Sequence, residues 1–290
     1  NQTTPDAKQP GQPAGKQAKA DQQRDLPPRQ HGIQPFMTPS MPTAGPPGRI
    51  IPSLCSDGRT QMGIDALLLQ QAAASPVLRF YRWDGAWLSL GRHQRQWPRH
   101  WNRLQADGLL KLVRRPSGGQ AVLHAGGLTY ALVWPNAPRQ RREAYRQACQ
   151  WLINGFARLG LPLRFGDEPA SRDGANCFAR STAADLVDGS GVKRIGSAQC
   201  WQRGRLLQHG EILLDPPPAL WQAVFDEAAP PPASQGIDRR TLVQTLVDAM
   251  AIAWPDVCWN EVPLSDDERD QVAARYRSDG SALAGIDETI

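Results

Sequence analysis

The chain has 290 residues, 40% of them hydrophobic and ten of them Trp, which is enough for one substantial core with or without a small appendage. No window nears the roughly 18 consecutive apolar residues of a membrane helix. No zinc-finger spacing, RNP motif or basic helix accompanies the net charge of +5 to argue for nucleic acid. Nearly all of the positive charge is arginine. The only lysines are Lys8, Lys16, Lys19, Lys111 and Lys193, so a lysine kept inside the fold stands out as a compact, titratable ammonium. Cys55, Cys149, Cys177, Cys200 and Cys258 form no CxxC pair and are odd in number. Isolated reduced thiols in a cytoplasmic setting are the simplest account. The modest basic excess suits acidic partners, acidic carrier domains among them.

Residues 1–48 are rich in Gln, Pro, Lys, Gly and Ala and hold few branched apolars, so they are expected to be disordered. They show no charged n-region followed by an apolar run, as a secretory signal would; Met37 or Met41 would make a natural start. A folded domain is expected over 49–230 and a helical appendage over 231–290. Gly63–Ala74 reads as a helix with an early acid at Asp65. Val77–Trp83 alternates and is aromatic-rich, hence a strand. Asp84-Gly85 turns it, in hairpin style, into a second strand, Trp87–Leu90. A short helix over His100–Ala106 precedes a strand at Leu109–Val113.

Next comes Arg114–Tyr130, RRPSGGQAVLHAGGLTY. Two glycine pairs flank a short apolar run, which predicts a strand between tight turns. Leu128–Trp134 leaves it as another strand. Gln140–Leu159 places its apolar residues at three- and four-residue steps, a helix capped by Gly160. Short strands at Leu163–Phe165 and Ala184–Val187 follow, with a polar loop over Gly166–Asn176 between them. Ile195–Gln199 and Leu206–Leu214 read as strands, and Ala219–Phe225, Arg239–Ala253 and Asp266–Tyr276 as helices. The order is α+β: a mixed β-sheet flanked by helices, with a small helical C-terminal segment.

The glycine-rich stretch is the first candidate for chemistry. Turn amides there can hold anionic oxygen, and an adjacent arginine offers a planar donor fork. It reads as a cradle for an acidic or carbonyl-bearing molecule, or else as a hairpin with a basic turn. Lys193 precedes the small residues Gly196, Ser197 and Ala198; it can bind an acyl oxygen or sit solvated at a strand end. Cys177 is a nucleophile if a cation lies near it, and otherwise a buried small hydrophobe. Cys200 and the other three thiols read as structural. His124 is a further candidate. His209 can be a base, a hydrogen-bonding partner or a packed residue, and a structural or orienting role is favoured. No HExxH or paired His/carboxylate spacing suggests a metal.

Several of these segments together resemble one superfamily. Arg114-Arg115-Pro-Ser-Gly-Gly-Gln-Ala-Val-Leu-His124 resembles the RRxSGGGAVxH segment of the lipoate–protein ligases, octanoyltransferases and biotin ligases. Lys193-Arg-Ile-Gly196-Ser-Ala-Gln199 resembles its KxxGSAQ motif, and Leu206-Leu-Gln-His-Gly210-Glu-Ile-Leu-Leu214 its LQHGSILL strand. Phe80-Tyr81-x-Trp83 and Leu88-Ser89-x-Gly91 are similar to its FYxW and LSxG opening. The match runs in order over residues 60–230.

The resemblance implies a catalytic domain that puts a medium-chain acyl group on one lysine of a lipoyl carrier domain, such as the glycine cleavage H protein or the E2 component of a 2-oxoacid dehydrogenase. It places ligand contacts at Arg115, Ser117, Gly118, Gly119, Gln120, Ala121, Val122, Leu123, His124, Gly196, Ser197 and His209, and chemistry at Cys177 and Lys193. The ligases of this group show HDxGN after the glycine loop, whereas this chain reads His124-Ala125-Gly126-Gly127-Leu128. Cys177-Phe178 resembles the CF of the LipM-type octanoyltransferases, which use octanoyl-acyl carrier protein and no ATP. The implied activity is therefore octanoyl transfer without a cofactor. An ATP- and Mg-dependent lipoate ligase is the alternative, and a non-catalytic module that binds lipoyl domains is a third reading.

Overall fold

The computed structural model describes residues 47–71, 75–167, 176–179, 184–233 and 237–277. The expected disorder of the N-terminal tail, apart from Pro47 and Gly48, lies outside them. The strands are β1 (Pro47–Ser56), β2 (Val77–Trp83), β3 (Trp87–Leu90), β4 (Lys111–Arg114), β5 (Val122–His124), β6 (Leu128–Trp134), β7 (Arg164–Phe165), β8 (Leu186–Val187), β9 (Lys193–Gln202), β10 (Arg205–Ile212) and β11 (Cys258–Glu261). The helices are α1 (Gly58–Gln71), α2 (Arg99–Ala106), α3 (Arg141–Arg158), α4 (Pro218–Phe225), α5 (Arg239–Ala253) and α6 (Asp266–Arg277).

Eight strands form one mixed sheet in the order β11-β1-β2-β6-β10-β9-β8-β7, and β4-β3-β5 form a second. Alternation along β2 sorts the core. Val77 and Tyr81 face one way, against the apolar side of α1, Leu264 just before α6 and Val272 within it. Leu78 and Phe80 face the other way, against Trp151, Leu152 and Phe156 of α3 and Leu242 and Leu246 of α5. The small sheet buries Leu88, Leu90, Leu112 and Leu123 with Trp101 of α2 and Trp221 of α4. Helices thus cover both faces of the large sheet, and the second sheet has its own core.

The hairpin expected between β2 and β3 does not form. β2 already has β1 and β6 as hydrogen-bonded neighbours, so neither of its edges is open. The turn at Asp84-Gly85 (φ +105° at Gly85) instead carries the chain into the other sheet, where β3 runs parallel to β4 and antiparallel to β5. Two strands were not foreseen from sequence. β1 pairs in parallel with β2, and β11 in parallel with β1, so the C-terminal segment adds a strand as well as helices. Helix α1 starts at Gly58, five residues earlier than the sequence suggests. Asp57 stops its N-terminal orphans by accepting from the amides of Arg59 (2.9 Å) and Thr60 (3.1 Å). Asp65 therefore lies two turns inside the helix, fully buried, rather than near its start.

Candidate active site

Cys177 opens a single 3-10 turn, Cys177–Ala179. Its amide donates to the carbonyl of Ala121 at 3.0 Å, and Asn176 bridges in parallel to Ala121, so the thiol is pinned beside the glycine-rich stretch. The Asn176 Oδ1 accepts from the Phe178 amide at 2.9 Å, and the Phe178 ring packs edge-on to Trp221. Lys193, the first residue of β9, reaches the same turn. Its Nζ donates to the Cys177 carbonyl at 2.7 Å, lies 3.8 Å from Cys177 Sγ, and pairs with Asp185 Oδ1 at 3.1 Å. Both members of that ion pair are buried. Gly196, three residues after the lysine, also bears on the lysine itself. A side-chain carbon on Gly196 would stand 2.9 Å from Lys193 Cε, so glycine there makes room for the lysine stem itself.

The arginine of the glycine-rich stretch does not point a spare fork at a ligand. Arg115 is buried and gives all five N–H groups away. Nε and Nη2 donate to the Gly118 carbonyl at 3.2 and 2.6 Å, and Nη2 also to Gln120 O at 2.7 Å. Nη1 donates to Ser89 O at 2.8 Å and Ser89 Oγ at 3.3 Å. A planar donor set inside a loop of carbonyls holds the turn's shape. Arg114 does similar service for the loop after β3, through the carbonyls of Gly91 and Gln94. Of the two turn glycines only Gly119 needs to be glycine for its backbone, at φ +94°. Gly91 is glycine because a Cβ there would overlap the Gly119 carbonyl.

Two histidines sit in buried hydrogen-bond chains. His209 Nε2 meets Ser117 Oγ at 2.5 Å, and its Nδ1 meets Asp65 Oδ2 at 2.8 Å. Asp65 also pairs with Arg79 at 3.0 Å and accepts from the Tyr81 hydroxyl at 2.9 Å. His124 Nε2 meets Ser89 Oγ at 2.8 Å, and its Nδ1 meets Glu211 Oε2 at 2.7 Å. Burial lowers the pKa of His124; Glu211 opposes that shift, while Arg115 and His209 reinforce it. The other thiols are remote from such chemistry. Burial pushes Cys149 up to about 12 and raises Cys200, whereas Cys55 and Cys258 lie exposed on β1 and β11.

These groups surround one cavity between the two sheets, with an empty volume of about 450 Å³ that includes its open mouth. Of the residues singled out from sequence, Arg115, Gly119, Val122, His124, Cys177, Gly196, Ser197 and His209 line it. Ala121 and Leu123 are packed in the core of the small sheet, and Ser117 is reached through His209. Lys193 is not among the lining residues, though its Nζ lies 3.8 Å from the Cys177 sulfur that is, and Gly118 and Gln120 supply the carbonyls that Arg115 holds. Sequence reasoning missed Asp65, Asp185, Ser89 and Glu211. Ser89 and Glu211 lie inside segments whose motifs were noticed, so their place in an alternating strand next to a candidate histidine's partner strand was an available signal.

The family model described as the lipoyl protein ligase A/B catalytic domain matches residues 57–252. The octanoyltransferase LipM of Lysinibacillus sphaericus is 37% identical over 170 residues, covering 53% of this chain and 61% of that protein. The octanoyltransferase LipM of Kyrpidia tusciae is 40% identical over 162 residues, covering 52% and 58%. The chain thus spans about three fifths of the length of these curated relatives. Among solved structures, a T. acidophilum protein described as a lipoate protein ligase, with bound lipoic acid, superposes with a TM-score of 0.69 at 19% identity, over 80% of this chain and 95% of that one. A lipoate-protein ligase A bound with ATP gives 0.68 at 19%, over the same shares. At such identities these two likenesses speak for the fold. No described helix is long and apolar enough to cross a membrane.

Proposed function

We propose an acyl transfer for this chain from one premise: it belongs to the lipoyl protein ligase A/B catalytic domain family. The reaction is transfer of an octanoyl group from an acyl-carrier thioester to a lysine of a lipoyl carrier domain. The relatives named octanoyltransferase LipM support this choice within the family. The observation that carries it is the thiol of Cys177 on the cavity wall with the Lys193 ammonium 3.8 Å from its sulfur.

In the first step Cys177 sulfur attacks the donor's thioester carbon. A new C–S bond forms, the old one breaks, and the cysteine proton leaves with the carrier's thiol. In the second step the acceptor amine attacks the Cys177 thioester. A C–N bond forms, the C–S bond to Cys177 breaks, and one amine proton ends on the released Cys177 sulfur. Lys193 Nζ offers a fixed positive charge to the acyl oxygen as it gains negative charge in both steps. A thioester is activated enough to form an amide, so the scheme uses no nucleotide. The domain limits that accompany this reading are a catalytic domain over 49–230 and an appendage over 231–290.

Incubation with octanoyl-acyl carrier protein, without ATP, is expected to leave an octanoyl mass adduct on the protein that is absent in Cys177→Ala. Transfer to the lipoyl domain should follow. Labelling that survives Cys177→Ala, or transfer that occurs only with free acid and ATP, overturns the proposal.

A further inference from the structure

We infer that Ser89, His124 and Glu211 form a proton relay that takes the proton from the acceptor amine during transfer. The inference rests on the acyl-transfer reading and adds to it the base that the second step needs.

The direction of every proton in this chain follows from the partners. Arg115 can only donate, so Ser89 Oγ accepts from its Nη1 at 3.3 Å; the Glu211 carboxylate can only accept, so in the neutral ring Nε2 is the free acceptor and takes the Ser89 proton at 2.8 Å. His124 Nδ1 then carries its hydrogen and donates it to Glu211 Oε2 at 2.7 Å. The same oxygen accepts from Thr129 Oγ1, which itself accepts from Trp83 Nε1 at 2.8 Å. The tautomer is thereby fixed with a basic Nε2 turned toward Ser89. The Trp83 ring stacks on the imidazole with centroids 4.0 Å apart and holds its plane. Ser89, His124 and Glu211 all line the cavity that Cys177 lines.

The site is also shaped around the carboxylate. A side chain on Gly127 would overlap Glu211 Oε1, so the second glycine pair leaves the space that Glu211 fills. Glu211 faces Thr129 across the β6–β10 ladder, which fixes its aim. It stands where the resembling strand motif has serine.

In the transfer step the attacking amine passes its proton to Ser89 Oγ as the hydroxyl proton passes to His124 Nε2. The C–N bond forms, the C–S bond to Cys177 breaks, and the departing thiolate later takes the proton from the imidazolium. Glu211 does not touch the reacting atoms; it acts through His124 by orienting the ring and stabilising its charged form. The charged and titratable groups that bear on His124 are Glu211 and His209 on β10 and Arg115 from the glycine turn.

Rapid-quench mass spectrometry separates the two steps in the native protein, in Glu211→Gln and in Ser89→Ala. The expected result is that the ratio of transfer rate to acylation rate falls about 100-fold in each variant, as for loss of a general base. In Glu211→Gln the acid limb of the transfer rate should also move to lower pH, because the carboxylate that raises the imidazole's proton affinity is gone. A ratio unchanged in both variants overturns the relay while leaving the acyl-transfer reading intact. An adduct on Ser89 in place of Cys177 overturns it too. No adduct in the native protein overturns the acyl-transfer reading and the relay with it. Formation of the adduct in a variant shows that its site is folded, and Ser89→Ala serves as the test if Glu211→Gln fails to fold.

Discussion

Lys193 is the residue at which stability and the proposed chemistry are most closely tied. Its ammonium and the Asp185 carboxylate are buried 3.1 Å apart, so deleting one leaves the other charged in a poor solvent. Lys193→Met is expected to destabilise the protein by about 3–5 kcal/mol, the usual cost of breaking such a pair from one side. Urea denaturation of Lys193→Met beside the double variant Lys193→Met with Asp185→Leu separates the two roles. The double variant should recover most of the stability and none of the acyl transfer. Recovery of transfer would take Lys193 out of the chemistry. The same scale explains what was and was not legible in the sequence. Cys177 and Lys193 could be singled out because a thiol and a scarce lysine each announce a chemistry. Asp185 could not, since a carboxylate in a predicted short strand carries no sign of its partner, and only folding brings it against the ammonium. Arg115 was noticed for its charge, yet what decides its use is the ring of carbonyls at Ser89, Gly118 and Gln120.

At the scale of elements, most segments follow from their own periodicity. β2, β3, β6 and α5 have the limits that alternation or three-to-four spacing gives them. The exceptions have physical causes. β1 shifts register against β2 between Ile51 and Leu54 and carries exposed residues after that point, so its hydrophobic alternation is broken. It is held partly by a clasp: Arg49 Nη1 and Nη2 each meet a Glu268 oxygen at 2.7 Å, joining β1 to α6. The hydrogen bond from Arg49 is the leading cause that keeps the Glu268 pKa below its ordinary value, and burial works against it. A depressed folded-state pKa means that this stabilisation is present above the unfolded value of about 4.3. It is lost as pH falls through the lower folded value. Thermal melts across pH should therefore show Glu268→Gln less stable than the native protein at neutral pH, with the difference closing at low pH. A difference independent of pH would mean that the clasp does not act through the charge.

At the scale of the molecule, the site exists because two sheets meet. The loop after β3 touches the glycine turn so closely that a methyl at position 91 has no room beside the Gly119 carbonyl. Gly91→Ala is expected to cost about 1–3 kcal/mol by overpacking. It should also displace the turn that walls the cavity and so reduce octanoyl adduct formation on Cys177, read as adduct per folded protein at a temperature well below the melt. Full labelling at unchanged stability would show that the contact between loop and turn is dispensable.

By itself the amino-acid order determined the periodic elements, the α+β class, the glycine-rich stretch and the thiol and ammonium as candidates, because each is carried by neighbouring residues. The tertiary structure alone decided that β2 and β3 part into separate sheets, since strand edges are filled by distant partners. It also decided which carboxylates serve the histidines. Asp65 and His209 are 144 positions apart, and Glu211 and His124 are 87 apart. Their meeting depends on the β6–β10 register and on α1 lying against the large sheet, and no short-range pattern encodes either.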